Sequence, residues 1–113
     1  MGKYIDIGGL SRVRVLQALY AEANSAGLGA VRMVAGVFKG ESQFLTHEQA
    51  EKALEAGRKY DGVSIDYLNG RRMKLWFPDR WPHRLYCSEY NECSNRSASV
   101  IVDELRAEVP HGA

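Results

Sequence analysis

The sequence predicts an α+β fold. We expect a small single domain over residues 1–113, with an antiparallel sheet built on a central β-hairpin and flanked by about three helices. The length of 113 residues suits one domain. Asn69-Gly70 separates two strand-like runs, which is the strongest short-range signal for a hairpin. Three other segments carry apolar residues at helical spacing between plausible helix ends.

The first helix is predicted to begin after Ser11, whose hydroxyl can accept from a free backbone N–H. Leu16 and Leu19 then recur at helical spacing, and Gly27 is a suitable left-handed end. Residues 29–38 follow as an apolar strand.

The second helix is predicted to begin at Thr46. Thr46 and Gln49 have the spacing of a capping box, in which each side chain bonds the other residue's backbone N–H. Gly57 is expected to end this helix.

The hairpin register follows from the side-chain pattern of residues 63–77. A two-residue loop would place polar and apolar groups on both faces. A three-residue loop with Gly70 in the left-handed conformation sets Tyr67 opposite Arg71 instead, so that one face becomes mostly apolar and the other carries Asp66 opposite Arg72. We therefore predict the three-residue loop.

Residues 78–91 are predicted to form a long irregular loop because they are rich in aromatic residues and contain two prolines. A last helix is predicted over residues 94–108. Its apolar side, with Val100, Ile101 and Leu105, is a candidate surface for assembly between copies.

Catalytic and metal chemistry find little support in the sequence. His83 and Cys87 could meet as a nucleophile pair, yet no recognisable nucleophile motif surrounds them. Cys87 and Cys93 are spaced more widely than a usual zinc pair, and His83 and His111 would have to complete the site. We expect no metal, no cofactor and no enzymatic activity.

Ligand binding is better supported. Between Trp81 and Asn91 the chain interleaves aromatic rings with Arg84, and Arg80 immediately precedes this segment. Rings stack on bases, amides read base edges and guanidinium groups hold phosphates. The alternative is that Trp81, Tyr86 and Tyr90 merely complete a small core.

Overall charge and hydropathy argue against two classes of partner, nucleic-acid polymers and membranes. The net charge of +1 argues against a nucleic-acid polymer, which usually requires a longer basic track. No apolar run approaches the roughly 20 residues that span a bilayer, and no secretory signal is recognisable. We therefore expect a cytoplasmic protein that contacts no membrane.

Three stretches together resemble a family of small phage proteins. They are Val13-Arg-Val-Leu-Gln-Ala-Leu-Tyr20 with the following Ala26-Gly-Leu-Gly29, Asp66-Tyr-Leu-Asn-Gly-Arg-Arg-Met-Lys74, and Trp81-Pro82 with Leu85-Tyr86 and Asn91. The family is that of the phage anti-Thoeris sponges. Its members sequester the glycocyclic ADP-ribose signal made by bacterial TIR enzymes without degrading it, and some also bind cyclic oligonucleotides at a separate site.

The resemblance implies a set of binding residues. An aromatic residue about ten positions before an asparagine corresponds to Trp81 and Asn91, with Tyr86 between them. Arginines on the first and last helices are implicated in phosphate contacts, and Arg14 (or Arg12) and Arg106 match them best. The chain departs from the family in residues 87–92, which lack the family's glycine, and in the tryptophan before Pro82.

The resemblance thus implies an anti-defence sponge that binds a small cyclic nucleotide as a homodimer or higher homo-oligomer in the host cytoplasm. Two alternatives remain open. The protein could inhibit a host protein by direct contact, or it could hydrolyse a cyclic nucleotide.

Overall fold

The computed structural model describes residues 3–25, 30–36, 43–57, 62–67, 70–78, 80–88, 90 and 94–108. Its elements within those residues are β1 (Lys3–Asp6), α1 (Arg12–Ala23), β2 (Ala30–Gly36), β3 (Gln43–Thr46), α2 (His47–Glu55), β4 (Gly62–Tyr67), β5 (Arg72–Trp76), β6 (Arg84–Ser88) and α3 (Ala98–Glu108). The predicted α+β class is confirmed, since three helices accompany an antiparallel sheet. Among these helices none is both long enough and apolar enough to cross a bilayer.

The strands form one sheet in the order β1-β6-β5-β4-β2-β3, and every neighbouring pair is antiparallel. The β4–β5 hairpin therefore lies at the centre of the sheet, as predicted. The outer edges are β1 and β3, each only four residues long. Short edge strands expose few unpaired backbone groups, which limits sheet-to-sheet association.

The hairpin has the predicted three-residue loop. The Tyr67 amide donates to the Arg71 carbonyl at 3.0 Å, and the Gly70 amide donates to the Tyr67 carbonyl at 3.0 Å. Gly70 has φ +83°, which is the left-handed conformation that the register required. The other two loop positions, 68 and 69, lie outside the described residues.

This register separates the two faces of the sheet. Ile65 and Met73 pair on the inner face and are fully buried. Arg72 and Asp66 pair on the outer face, where the guanidinium Nε lies 2.6 Å from the carboxylate. The outward positions of β1, β4, β5 and β6 form what we call the open face: Tyr4, Asp6, Gly62, Ser64, Asp66, Arg72, Lys74, Trp76, Arg84, Tyr86 and Ser88.

The helices contribute their apolar sides to one core, which covers the inner face. The Ser11 hydroxyl accepts from the Arg14 amide at 3.4 Å and caps α1, as predicted. The capping box of α2 is also confirmed, with reciprocal bonds of 3.2 and 3.0 Å between Thr46 and Gln49. Gly57, at φ +77°, follows the end of α2.

Three strands differ from the sequence prediction. Residues 78–91 were predicted to be irregular, yet Arg84–Ser88 form β6 and pair with strands on both sides. Neither β1 nor β3 was predicted. The β1–β6 pairing spans most of the chain, so local sequence patterns do not reveal it, whereas β3 pairs with β2, the strand before it.

The last helix is shorter than predicted and presents a different side to solvent. It begins at Ala98, and the Ser97 hydroxyl accepts from the Val100 amide at 3.3 Å. Ile101 and Leu105 are buried in the core of the same chain, whereas Val100 is 44% exposed. The proposed assembly face on this helix is therefore wrong, because two of its three residues are already covered.

Candidate functional site

Three aromatic side chains meet at one end of the open face, and we call them the aromatic corner: Tyr4, Trp81 and Tyr86. The β1–β6 register places Tyr4 directly opposite Tyr86, and the ring centroids lie 5.1 Å apart. Trp81 packs edge-to-face against Tyr4 at 5.7 Å. Tyr4 and Trp81 are each 46% exposed, so part of each ring remains available to a ligand.

The turn that carries Trp81 is fixed by backbone hydrogen bonds. The Trp81 amide donates to the carbonyl of buried Pro78 at 3.3 Å, and the Arg84 amide donates to the Trp81 carbonyl at 3.0 Å. The Ile7 amide donates to the His83 carbonyl at 2.7 Å, which ties the turn to β1. Trp81 is thus positioned before any ligand arrives, which lowers the entropic cost of binding.

Two charged groups border the corner. The Arg84 guanidinium lies 5.9 Å from the centre of the Trp81 ring, within cation–π range. Across the strand pair, Asp6 accepts from the Gly8 amide at 2.8 Å and from Arg106 Nη2 at 3.0 Å. The Gly8 hydrogen bond, with the nearby Arg106 charge, lowers the pKa of the Asp6 carboxyl and keeps it ionised.

The sequence-predicted residues are only partly brought together. Trp81 and Tyr86 both pack against Tyr4, and Arg106 forms an ion pair with Asp6 at the border of the corner. Arg14 instead pairs with Glu108 at 3.4 Å. Asn91 lies outside the described residues.

The arginines of α1 serve other contacts. Arg14 lines a groove of about 600 Å³ between α1 and α2, together with Tyr20 and Glu51. Arg12 Nη2 donates to the Pro78 carbonyl at 3.1 Å and lies 5.6 Å from the Phe77 ring centre. Arg12 therefore supports the turn before Trp81 from the helical side.

The possibility that the aromatic residues only fill the core holds for one of the three. Tyr90 is 2% exposed and belongs to the core. Trp81 and Tyr86 lie on the opposite side of the sheet.

Sequence reasoning missed Tyr4, which belongs to the corner, and Trp76, which lies beside the corner on the open face. Tyr4 was missed because β1 was not predicted. Trp76 could have been found, since the predicted register places it on the outer face beside Lys74 and opposite Gly62. It is 48% exposed there.

Cys87 faces away from the corner. Its thiol lies on the inner face, 5% exposed, and burial raises its pKa. The His83 ring instead contacts the Gly8 carbonyl through Nδ1 at 2.9 Å. Within the described ranges, histidine, cysteine and carboxylate residues do not cluster in threes as a metal site requires, and Cys93 and His111 fall outside those ranges.

Comparison with known proteins adds no relative: no family model, curated protein or solved structure matches the chain. The site is therefore interpreted from its own geometry. Exposed rings beside a guanidinium group can stack on a base and attract a phosphate, which is the chemistry of a nucleotide-binding surface.

Proposed function

We propose that the chain binds and sequesters a cyclic ADP-ribose-type signalling nucleotide without degrading it, and so acts against a defence system in the cytoplasm of an infected host. The observation that carries this proposal is the aromatic corner beside Arg84. Its exposed rings suit an adenine base, and the guanidinium group suits the diphosphate. The resemblance of the sequence to phage sponges points to the same ligand.

Sequestration requires tight binding, and enclosure strengthens binding by excluding water. The corner is open to solvent on one side, as the exposure of Tyr4 and Trp81 indicates. We therefore expect a homodimer or higher homo-oligomer in which another copy helps to cover the ligand. Val100 on α3 is too small an apolar surface to drive that assembly alone.

Binding fits the surroundings of the corner better than catalysis. A reactive cysteine needs an accessible thiolate with a lowered pKa, whereas Cys87 is buried and its pKa is raised. Asp6 is engaged by Gly8 and Arg106, so it is poorly placed to accept a proton from a ligand.

The first experiment measures binding and the fate of the ligand together. Purified protein is titrated by calorimetry with each glycocyclic ADP-ribose isomer. The complex is then heat-denatured and the released nucleotide is identified by chromatography. We expect binding and recovery of the intact nucleotide. At a ligand concentration 100-fold above Kd, the folded state should gain about 2.7 kcal/mol, visible as a raised Tm.

Variants locate the site. Trp81→Ala should weaken binding by about 1–3 kcal/mol, the usual contribution of one base–aromatic stack. Arg84→Gln should weaken it through loss of a charge-assisted contact. Lys52→Gln removes one exposed positive charge from α2, away from the corner, and serves as the matched control, with unchanged affinity expected.

Two results would overturn the proposal. Recovery of altered nucleotide would identify an enzyme. Absence of binding by every isomer would leave direct contact with a host protein as the better explanation, to be tested by capture of a defined host partner on immobilised protein.

A further inference from the structure

The open face carries a row of aromatic rings that extends beyond the corner. Strand pairing places Tyr4, Tyr86 and Trp76 side by side on β1, β6 and β5, with Gly62 next in line on β4. Adjacent strands are about 4.8 Å apart, so the three rings cover roughly 10 Å across the sheet. The row of rings is therefore wider than a single nucleotide base.

Gly62 leaves room for the Trp76 ring, because it has no side chain at the position opposite. A Cβ atom at position 62 would lie 3.4 Å from Trp76 Cδ1, so the indole lies close over the glycine backbone. The Trp76 side chain nevertheless remains 48% exposed. It can therefore present a ring surface to a ligand without first leaving a packed core.

The carboxylates on this face are paired with arginines, whereas two further cations lie beside the aromatic row. Asp66 pairs with Arg72 at 2.6 Å, and Asp6 pairs with Arg106 at 3.0 Å, so both carboxylates are compensated. Two cations then flank the aromatic row on opposite sides. Arg84 lies two residues before Tyr86 on β6, and Lys74 lies two residues before Trp76 on β5. Because β5 and β6 are antiparallel, these two offsets point in opposite directions.

We propose that the open face binds linear single-stranded nucleic acid. At least two bases stack along the aromatic row, and phosphates lie beside Lys74 and Arg84. Flat rings on an exposed antiparallel sheet, combined with nearby cations, are how sheet-based domains hold unpaired bases. The sequence argued against a nucleic-acid polymer from its net charge, whereas the folded sheet places Lys74 and Arg84 beside the rings and pairs its carboxylates with other arginines.

The composition of the face favours this ligand over a protein. On β1, β4, β5 and β6 the outward residues are aromatic, hydroxyl-bearing, charged or glycine, and none is aliphatic. The centre of a protein interface is usually depleted of lysine, aspartate and serine. This face instead carries Lys74, Asp66 and two serines at its outward positions. A duplex would hide its base faces and could not use the row.

This proposal shares Tyr4, Tyr86 and Arg84 with the cyclic nucleotide site but does not rest on that function. Trp76 and Lys74 belong to the proposed oligonucleotide site and not to the cyclic nucleotide site. Variants at these two positions therefore separate the two proposals, since they should impair oligonucleotide binding and leave cyclic ADP-ribose binding unchanged.

The test is fluorescence anisotropy with a fluorescein-labelled ten-nucleotide oligothymidylate. We expect a Kd of about 1–100 µM near physiological salt. Two phosphate contacts predict a slope of about −1.4 in log K against log salt concentration. A duplex of equal length should bind more weakly.

Trp76→Ala should weaken oligothymidylate binding by about 5- to 150-fold, and Trp76→Phe should retain most of it. Lys74→Gln should reduce the salt slope by about 0.7. Val100→Ala, which trims an exposed apolar residue on α3, is the matched control and should bind normally. Circular dichroism confirms that each variant is folded.

Three outcomes would overturn the proposal. The first is no anisotropy change at 200 µM protein in 20 mM salt, where the Kd should lie below the range of about 1–100 µM expected near physiological salt. The second is equal binding by wild type, Trp76→Ala and Lys74→Gln. The third is self-association in sedimentation experiments that Trp76→Ala abolishes, because the open face would then be an interface between copies. If oligothymidylate binds while every cyclic ADP-ribose isomer fails, the proposed function falls and this proposal stands.

Discussion

Gly70 sets the hairpin register, so replacing it should destabilise the whole sheet by a measurable amount. At φ +83° a Cβ atom is strained by its own backbone, which costs roughly 1–2 kcal/mol. A Cβ atom at this position would meet no neighbour within 4 Å. The loss in Gly70→Ala should therefore come from the backbone alone and equal about 1–2 kcal/mol.

A graded series tests that origin. Asparagine tolerates the left-handed region better than alanine, and β-branched valine tolerates it least. The free energy of unfolding should thus fall in the order wild type, Gly70→Asn, Gly70→Ala, Gly70→Val. Urea denaturation followed by tryptophan fluorescence measures each value.

Gly9→Ala is the matched control. Gly9 is outside the left-handed region and its Cβ atom would also meet nothing within 4 Å. It should change stability by less than about 1 kcal/mol, in the stabilising direction. Equal losses for Gly9→Ala and Gly70→Ala, or no loss in Gly70→Ala, would refute the argument from backbone conformation.

Two further predictions concern the core. Leu75→Ala should lower the free energy of unfolding by about 2–5 kcal/mol, because Leu75 is 2% exposed on the central strand. Val100→Ala should change the free energy of unfolding little, because Val100 is 44% exposed. Similar losses for the two variants in urea denaturation would contradict the assignment of these positions. Burial raises the pKa of Tyr20 and of Tyr90 to about 12, above the usual value near 10. The folded state thus retains protons that the unfolded state loses, so stability is full below pH 10 and declines between pH 10 and 12. Tyr90→Phe should show a shallower decline in alkaline urea melts, and an unchanged decline would argue against this cause.

The predictable part of the fold was governed by local rules. The hairpin register followed from the alternation of residues 63–77 together with one glycine. The caps of α1 and α2 followed from Ser11 and from the spacing of Thr46 and Gln49. In each case the partners lie within one short stretch of sequence, so the pattern itself contains the interaction.

Among the three missed strands, β1 depends on a distant partner, whereas β3 and β6 each pair with the strand that precedes them. β1 buries one residue, Ile5, and its hydrogen bonds come from β6. β6 buries only Leu85 and Cys87 and follows two prolines, which favoured a loop prediction. Helical spacing also could not decide which side of α3 faces the core. Val100 was therefore grouped with Ile101 and Leu105 on one apolar side, although Val102 is the valine that lies in the core.

The candidate site shows the same division. Trp81 and Tyr86 could be identified because aromatic and basic residues occur together in that one segment of the sequence. Tyr4 could not be identified without the β1–β6 pairing. Arg14 was carried over from the resemblance, and its contact with Glu108 depends on how α1 and α3 pack.

The pairing of the first strand with the last also has a kinetic consequence. The hairpin can close early because its strands are adjacent in sequence, whereas β1 must wait until β6 has been synthesised and positioned. Tyr4 and Tyr86 therefore meet late in folding, and a chain truncated before β6 cannot assemble the aromatic corner. On a ribosome, the aromatic corner can assemble only after β6 has emerged.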